Sequence, residues 1–277
     1  MPDVRPAAVA GMFYPAAPAA LAADVRAHLA GAAARPAETA ATPKALIAPH
    51  AGYVYSGRIA AAAYAQLEAA RGTIRRVVLF GPAHRVPVRG LALPTARAFA
   101  TPLGTVTVDR EAAFAVLALP QVCENDAAHA SEHSLEVQLP FLQAALGEFS
   151  IVPLVVGDAT PEDVADVIDL LWGGPETLFV VSSDLSHYHR YAEAREMDRA
   201  TGDAILALSA TLDHEQACGA TPINGLLLAA RRHGLRPELL DLRNSGDTAG
   251  DKSRVVGYAS FAFTEPEPAG RRQEGRA

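Results

Sequence analysis

Cysteine is scarce in this chain: 277 residues contain two, Cys123 and Cys218, far apart. That excludes the disulfide framework of a small secreted domain. Long apolar runs are also missing. None reaches the roughly 18 residues that a membrane-spanning helix needs, so the reading places no part of the chain in a membrane. Basic residues number 24 against 31 acidic ones, for a formal net charge of −7. They are scattered, with Arg75-Arg76, Arg231-Arg232 and Arg271-Arg272 as isolated pairs. A phosphate-binding surface needs clustered positive charge, so nucleic acid is not an expected partner. The N-terminus shows no basic region followed by an apolar stretch and a cleavage site. A reducing, cytoplasmic compartment is the expectation. Short motifs are absent too: no Walker loop, G-x-G-x-x-G, G-x-S-x-G, Cys-x-x-Cys or His-Glu-x-x-His.

What is present is enough apolar material for a large core, with 50% hydrophobic and 20% charged residues. Short apolar runs alternate with longer amphipathic segments. The runs at 45–48, 77–80, 151–156 and 178–181 suit strands buried on both faces, and 254–263 reads as a last strand. Helices are predicted over 18–29, 58–69, 110–117, 134–146, 161–171, 192–209 and 225–233. This alternation predicts an α/β fold, a single domain over 1–264 with a largely parallel or mixed central sheet flanked by helices. Residues 90–108 read as short strands in an antiparallel excursion. The first fifteen residues read as an irregular arm, and 265–277 as a disordered tail.

Ligands of open α/β sheets bind outside the carboxyl ends of the strands. Three predicted strands deliver a histidine there: His50 in Pro49-His50-Ala51-Gly52, His84 in Gly81-Pro82-Ala83-His84, and His187 in Ser183-Asp184-Leu185-Ser186-His187. One histidine at a strand end is more often a structural, hydrogen-bonded residue. Convergence of three from separate strands favours a metal site, because neutral imidazole is the commonest side-chain ligand. Cys218 precedes a predicted helix whose Thr221 and Pro222 fit an N-cap and first position, a setting that favours thiolate. The competing reading is a small buried apolar residue, and Cys123 is taken as such. Glu132 and Glu136 bracket His133, either to hold an imidazole tautomer or simply to complement a helix N-terminus. His28, His189, His214 and His233 are placed on surface helices or loops.

Taken together, the blocks Ala10-Gly11-Met12-Phe13-Tyr14-Pro15, Ile47–Tyr53, Gly81–His84, Glu132–Pro140, Ser182–His187 and Cys218-Gly219 with Pro222-Ile223 resemble the Memo family. Its prokaryotic members include AmmeMemoRadiSam system protein B. The resemblance implies a class III extradiol dioxygenase-like fold. It places His50 and His84 as metal ligands, Cys218 where those enzymes carry a carboxylate ligand, and His187 at the acid/base histidine. In that reading Asp184 orients His187, and Glu132 with His133 supports the ligands. The ion is expected to be iron, with copper or zinc as alternatives, because a thiolate softens the donor set. The function expected first is metal-dependent redox chemistry on an unknown small-molecule or peptide substrate. Two others stand beside it: a partner-binding component acting with AMMECR1-type and radical SAM proteins, and a zinc hydrolase. Arg85 and Leu185 depart from the residues expected in relatives and bear on pocket shape.

Overall fold

In a computed structural model, described here over residues 2–32 and 41–266, twelve strands form one sheet. In chain order they are β1 (Val4–Arg5), β2 (Pro43–Ala48), β3 (Arg76–Pro82), β4 (Leu91–Leu93), β5 (Ala98–Thr101) and β6 (Gly104–Val108). They continue as β7 (Val122–Glu124), β8 (Ser150–Val156), β9 (Thr177–Ser182), β10 (His187–His189), β11 (Arg236–Asn244) and β12 (Val255–Thr264). The main path runs β1-β5-β6-β8-β3-β9-β2-β12-β10, with β11 beside β12 and β4 bridging β8 and β7. Its spine, β6-β8-β3-β9-β2, is parallel throughout, and β12 closes on β2 antiparallel. The fold is therefore mixed α/β with a parallel centre.

The spine strands are the aliphatic runs of the sequence. Every residue of β2 and β9 is buried, and only the first residue of β3 and of β8 is not. Burial on both faces requires helices on both, which is why these strands show no polar alternation. Helices α1 (Pro18–Gly31), α2 (Tyr53–Tyr64) and α5 (Leu139–Leu146) pack together. So do α6 (Pro161–Leu170) and α8 (Ala220–His233), the latter against β3 and β9. Between these lie α3 (Arg110–Val116), α4 (Asp126–Ala130), α7 (Tyr191–Leu206) and a last turn, α9 (Ser245–Thr248). Helix ends follow local chemistry: Thr160 and Asp163 form a capping box on α6, and α8 stops at Gly234 in the left-handed conformation.

Some boundaries differ from the sequence reading. Helix α2 begins at Tyr53 rather than Arg58, because Ser56 Oγ donates to Ala51 O and Tyr53 Oη to Val137 O, tying down its first turn. The helix expected from residue 134 starts as a 3-10 turn over Glu136–Gln138, and α5 proper begins at Leu139. Helix α8 starts at Ala220 with Gly219 as N-cap, so Thr221 is not the cap. The antiparallel excursion is present as the β5–β6 hairpin. The arm is more ordered than expected: β1 joins β5 in parallel, and Ala10 bridges Tyr14. Residues 267–277 of the expected tail lie outside the described residues.

Candidate metal centre

Strands β3, β9 and β2 are neighbours in the sheet and run parallel, so their carboxyl ends open on one edge. His84 follows β3, Asp184 and His187 follow β9, and His50 follows β2. Topology alone thus brings the dispersed blocks together. Ring centroids of His50 and His84 lie 5.1 Å apart, those of His50 and His133 5.4 Å, and those of His84 and His133 4.6 Å. His50, His84 and His133 each offer a ligand nitrogen, and these atoms lie within 4.8 Å of one another. Cys218 Sγ sits 3.4 Å from His50 Nε2.

The tautomer of His50 follows from its neighbours. Gln138 Nε2 donates to Pro49 O at 3.0 Å and to Ser182 Oγ at 2.7 Å, while Gln138 Oε1 accepts from Tyr64 Oη. Ser182 Oγ in turn donates its one proton to Ser134 O at 2.6 Å. The serine has no proton left for His50 Nδ1, 2.9 Å away, so Nδ1 carries the proton and donates. His50 Nε2 is left with its lone pair facing Cys218. Ser134, Gln138 and Ser182 are fully buried, which makes this network costly to rearrange.

His84 is held differently. Glu132 Oε1 accepts from His84 Nδ1 at 2.9 Å, and Oε2 accepts from the His84 backbone N–H at 2.6 Å. The same carboxylate takes the N–H groups of His133 and Ser134, both at 2.9 Å. Burial alone would raise its pKa, yet the bonds from His84 and the backbone hold it down to about 2. A permanently charged acceptor keeps the proton on His84 Nδ1 and makes Nε2 a better donor to a cation.

Two sequence-level roles need correction. Asp184 does not orient His187: its Oδ1 accepts from His50 N at 2.8 Å, whereas His187 Nδ1 donates to Leu185 O at 2.8 Å. The turn after β9 is pinned to β12, with Leu185 N donating to Gly257 O and Gly257 N to Ser186 O, and this turns Asp184 under the His50 loop. Burial raises the Asp184 pKa to about 7 against the pull of the His50 and Ala51 N–H groups. Nor does Glu136 attend His133. It receives Arg5 Nη1 at 2.5 Å, the N–H groups of Ala8 and Val9, and Tyr14 Oη. Arg5 also donates to His129 O and Glu132 O, so the arm is stapled to the segment that carries Glu132 and His133. Phe13 then packs on His133, ring centroids 4.7 Å apart.

Cys218 does lie at the start of a helix, but its thiol is not poised as thiolate. Burial first, then the Asp184 charge, pushes its pKa up to about 12. With His50 Nε2 bare, only the thiol can donate across the 3.4 Å contact, and Asp184 O at 3.6 Å competes for the same proton. Burial likewise lowers the pKa of His50 and of His187, and that of His133 to about 4. His50, His133 and His187 are thus held neutral, and one carboxylate backs the cluster. Among the histidines set aside, His28 is half-buried, packed between Tyr53 and Phe141, and His233 stacks on Trp172 at 3.5 Å. His189 and His214 are polar contacts at the surface, pairing with Glu193 and with Cys218 O and Thr221.

A family model described as Memo-like protein matches residues 5–262. The chain belongs to the Memo family. A MEMO1 family protein of Sulfolobus acidocaldarius is 36% identical, with 94% of this chain and 99% of the relative covered. One from Methanosarcina barkeri is 38% identical over 93% and 99% of the two chains, and one from Aquifex aeolicus 36% over 80% and 86%. Among the described residues of this Memo-family chain, no helix is long and apolar enough to cross a membrane. Sequence reasoning missed Gln138 and Ser182 as site-builders; their one signal is polarity inside otherwise apolar stretches.

Proposed function

We propose that this Memo-family chain is a metal-dependent redox protein that holds one ion between His50, His84 and Cys218. Support comes chiefly from the His50 tautomer: its Nε2 lone pair is locked toward the cleft, 3.4 Å from a sulfur. Two ligands sharing one tetrahedral ion stand about 3.4–3.6 Å apart, from metal–nitrogen and metal–sulfur lengths of about 2.1 and 2.3 Å. The donor set fits a borderline or soft transition ion, iron first and copper or zinc after it, and not magnesium or calcium. A bound redox ion supplies the electron-transfer chemistry that the side chains lack. The protein's own part is to hold Nε2 of His50 and His84 bare. His187, its Nδ1 proton committed to Leu185 O, offers Nε2 as acid/base toward a small-molecule or peptide substrate.

Metal analysis of wild-type protein and Cys218→Ser, both purified anaerobically without chelators, tests this reading. About one ion per wild-type chain and its loss in the variant are expected. Wild-type protein that takes up no ion, even on reconstitution, defeats it.

A second reading, a component that docks partners over the same cleft, is favoured by exposed apolar residues beside it. Met12, Val54 and Tyr188 are 72%, 71% and 62% exposed, and they adjoin Phe13, the His50 loop and His187. AMMECR1-type and radical SAM proteins are the partners to try. Retention of either on wild-type protein, unchanged in His50→Ala, favours docking; loss on His50→Ala ties it to the metal.

A further inference from the structure

His133 occupies a place that the proposed ligand set does not use. It has a ring nitrogen within 4.8 Å of ligand atoms on both His50 and His84, and its ring lies nearer His84 than His50's does. Its side chain is 12% exposed, and its Nδ1 is buried with no hydrogen-bond partner. The Glu132 oxygen 3.3 Å away is already taken by three N–H groups, those of His84 Nδ1, His133 and Ser134. An orphaned buried polar atom costs about 1–3 kcal/mol, and although His129 Nδ1 is another such atom, only the His133 ring also sits within reach of two further imidazoles. The protein nevertheless fixes this ring tightly. Phe13 packs on one side, and the His133 backbone N–H is anchored to Glu132.

We propose that His133 is a metal ligand in its own right, so that the centre is built from three imidazoles, with the Cys218 thiol meeting it across His50. This inference rests on the metal-site reading above and extends it. The role expected for His133 from the sequence, support of the ligands, gives way to direct coordination. Bringing three nitrogens from at most 4.8 Å to the roughly 3.4 Å edge of a tetrahedral site takes about an ångström of side-chain adjustment per ring. Three nitrogens also set selectivity: the site prefers cobalt, copper and zinc over oxygen-seeking cations.

The test uses Co(II) on the full-length, chelator-stripped chain under anaerobic conditions. Competition with a chromophoric chelator gives affinity, visible d–d bands give geometry, and near-ultraviolet charge transfer reports the thiolate. Wild type is expected to take one Co(II), and His133→Ala and His133→Gln to lose more than about 100-fold in affinity. That exceeds the 10–100-fold typical of residues that only support ligands. X-ray absorption on Co(II)-loaded wild type is expected to count three histidines, a readout that needs no variant to fold. Two histidines, or a His133→Gln protein with wild-type affinity and spectrum, overturns the proposal and leaves the His50–His84–Cys218 reading standing. Wild type that binds no Co(II) overturns both.

Discussion

Ser182 is the residue on which the His50 tautomer turns, so Ser182→Ala is the sharpest perturbation of the site. Its hydroxyl joins three buried partners: Ser134 O at 2.6 Å, Gln138 Nε2 at 2.7 Å and His50 Nδ1 at 2.9 Å. Removing it leaves Gln138 with Pro49 O, but strips Ser134 O and His50 Nδ1. Two orphaned groups at about 1–3 kcal/mol each, reduced by relaxation, give an expected loss of about 2–4 kcal/mol in urea unfolding. His50 has one escape, which is to move its proton to Nε2. That places an N–H where the lone pair stood and removes the ligand. Metal affinity is therefore expected to fall about 10–100-fold, as for other residues that orient a ligand. Chelator competition at pH 7.5 reads this directly. A Ser182→Ala protein that is less stable but binds metal as tightly as wild type refutes the tautomer argument, since the network would then be structural only.

Three further outcomes follow from the same contacts. Glu132→Gln puts an amide where four N–H groups converge, so at least one donor must face another; metal affinity should drop about 10–100-fold, and equal affinity in chelator competition counts against a supporting role. Glu136→Ala leaves the Arg5 guanidinium buried without its carboxylate and should cost about 3–5 kcal/mol in urea unfolding, whereas a loss under about 1 kcal/mol means that the arm is held by packing alone. His129, whose Nε2 donates to Ala92 O, has its pKa lowered to about 4, first by burial. It is neutral in the fold and protonates near 6.5 when unfolded, so its contribution is intact above that pH and is lost as pH falls towards 4. The full swing is about 3 kcal/mol, and His129→Gln should flatten the urea midpoint between pH 7 and 4.5 relative to wild type; parallel curves would falsify the assignment.

The spine of the fold was legible because it is built from uninterrupted aliphatic runs. The four runs placed at 45–48, 77–80, 151–156 and 178–181 correspond to β2, β3, β8 and β9, all parallel neighbours. Strand β11 went unread. Its sequence Arg236–Asn244 mixes Pro237, Glu238, Asp241 and Arg243 with leucines, and among the described residues it pairs only with β12. Such a strand is held by its neighbour more than by its own pattern. The helix expected from Ser134 also misled. Ser134 and Gln138, four apart, share one face of a helix and Glu136 does not, yet all three are fully buried and turned to separate partners: Pro82 O, the arm and Ser182. Polarity spaced at two residues was here the mark of a buried network. The histidines at the strand ends could be found because chain order and sheet order together dictate where strand ends open. Of their supports, Glu132 was named from the sequence and does hold His84, but Ser182 and the Leu185 carbonyl were not, since they become partners only through the direction of the histidine side chains.

Those supports are unequal, and the inequality bears on how the centre works. His84 donates to a carboxylate that stays charged down to a pKa of about 2, while His50 donates to a serine hydroxyl and His187 to a backbone carbonyl. A charged acceptor makes imidazole more basic than a neutral one does. Among the clustered imidazoles His84 is the most exposed and donates to a carboxylate, and His50 is almost wholly buried. In the proposed site an entering cation would meet His84, the more exposed ring, before His50. Cys218 Sγ meets His50 Nε2 with its proton retained, so in the proposed site sulfur would join only as a cation displaces that proton. The difference between the rings follows from the carboxylate under His84 and the serine under His50, so residues outside the proposed ligand set would tune the donors within it.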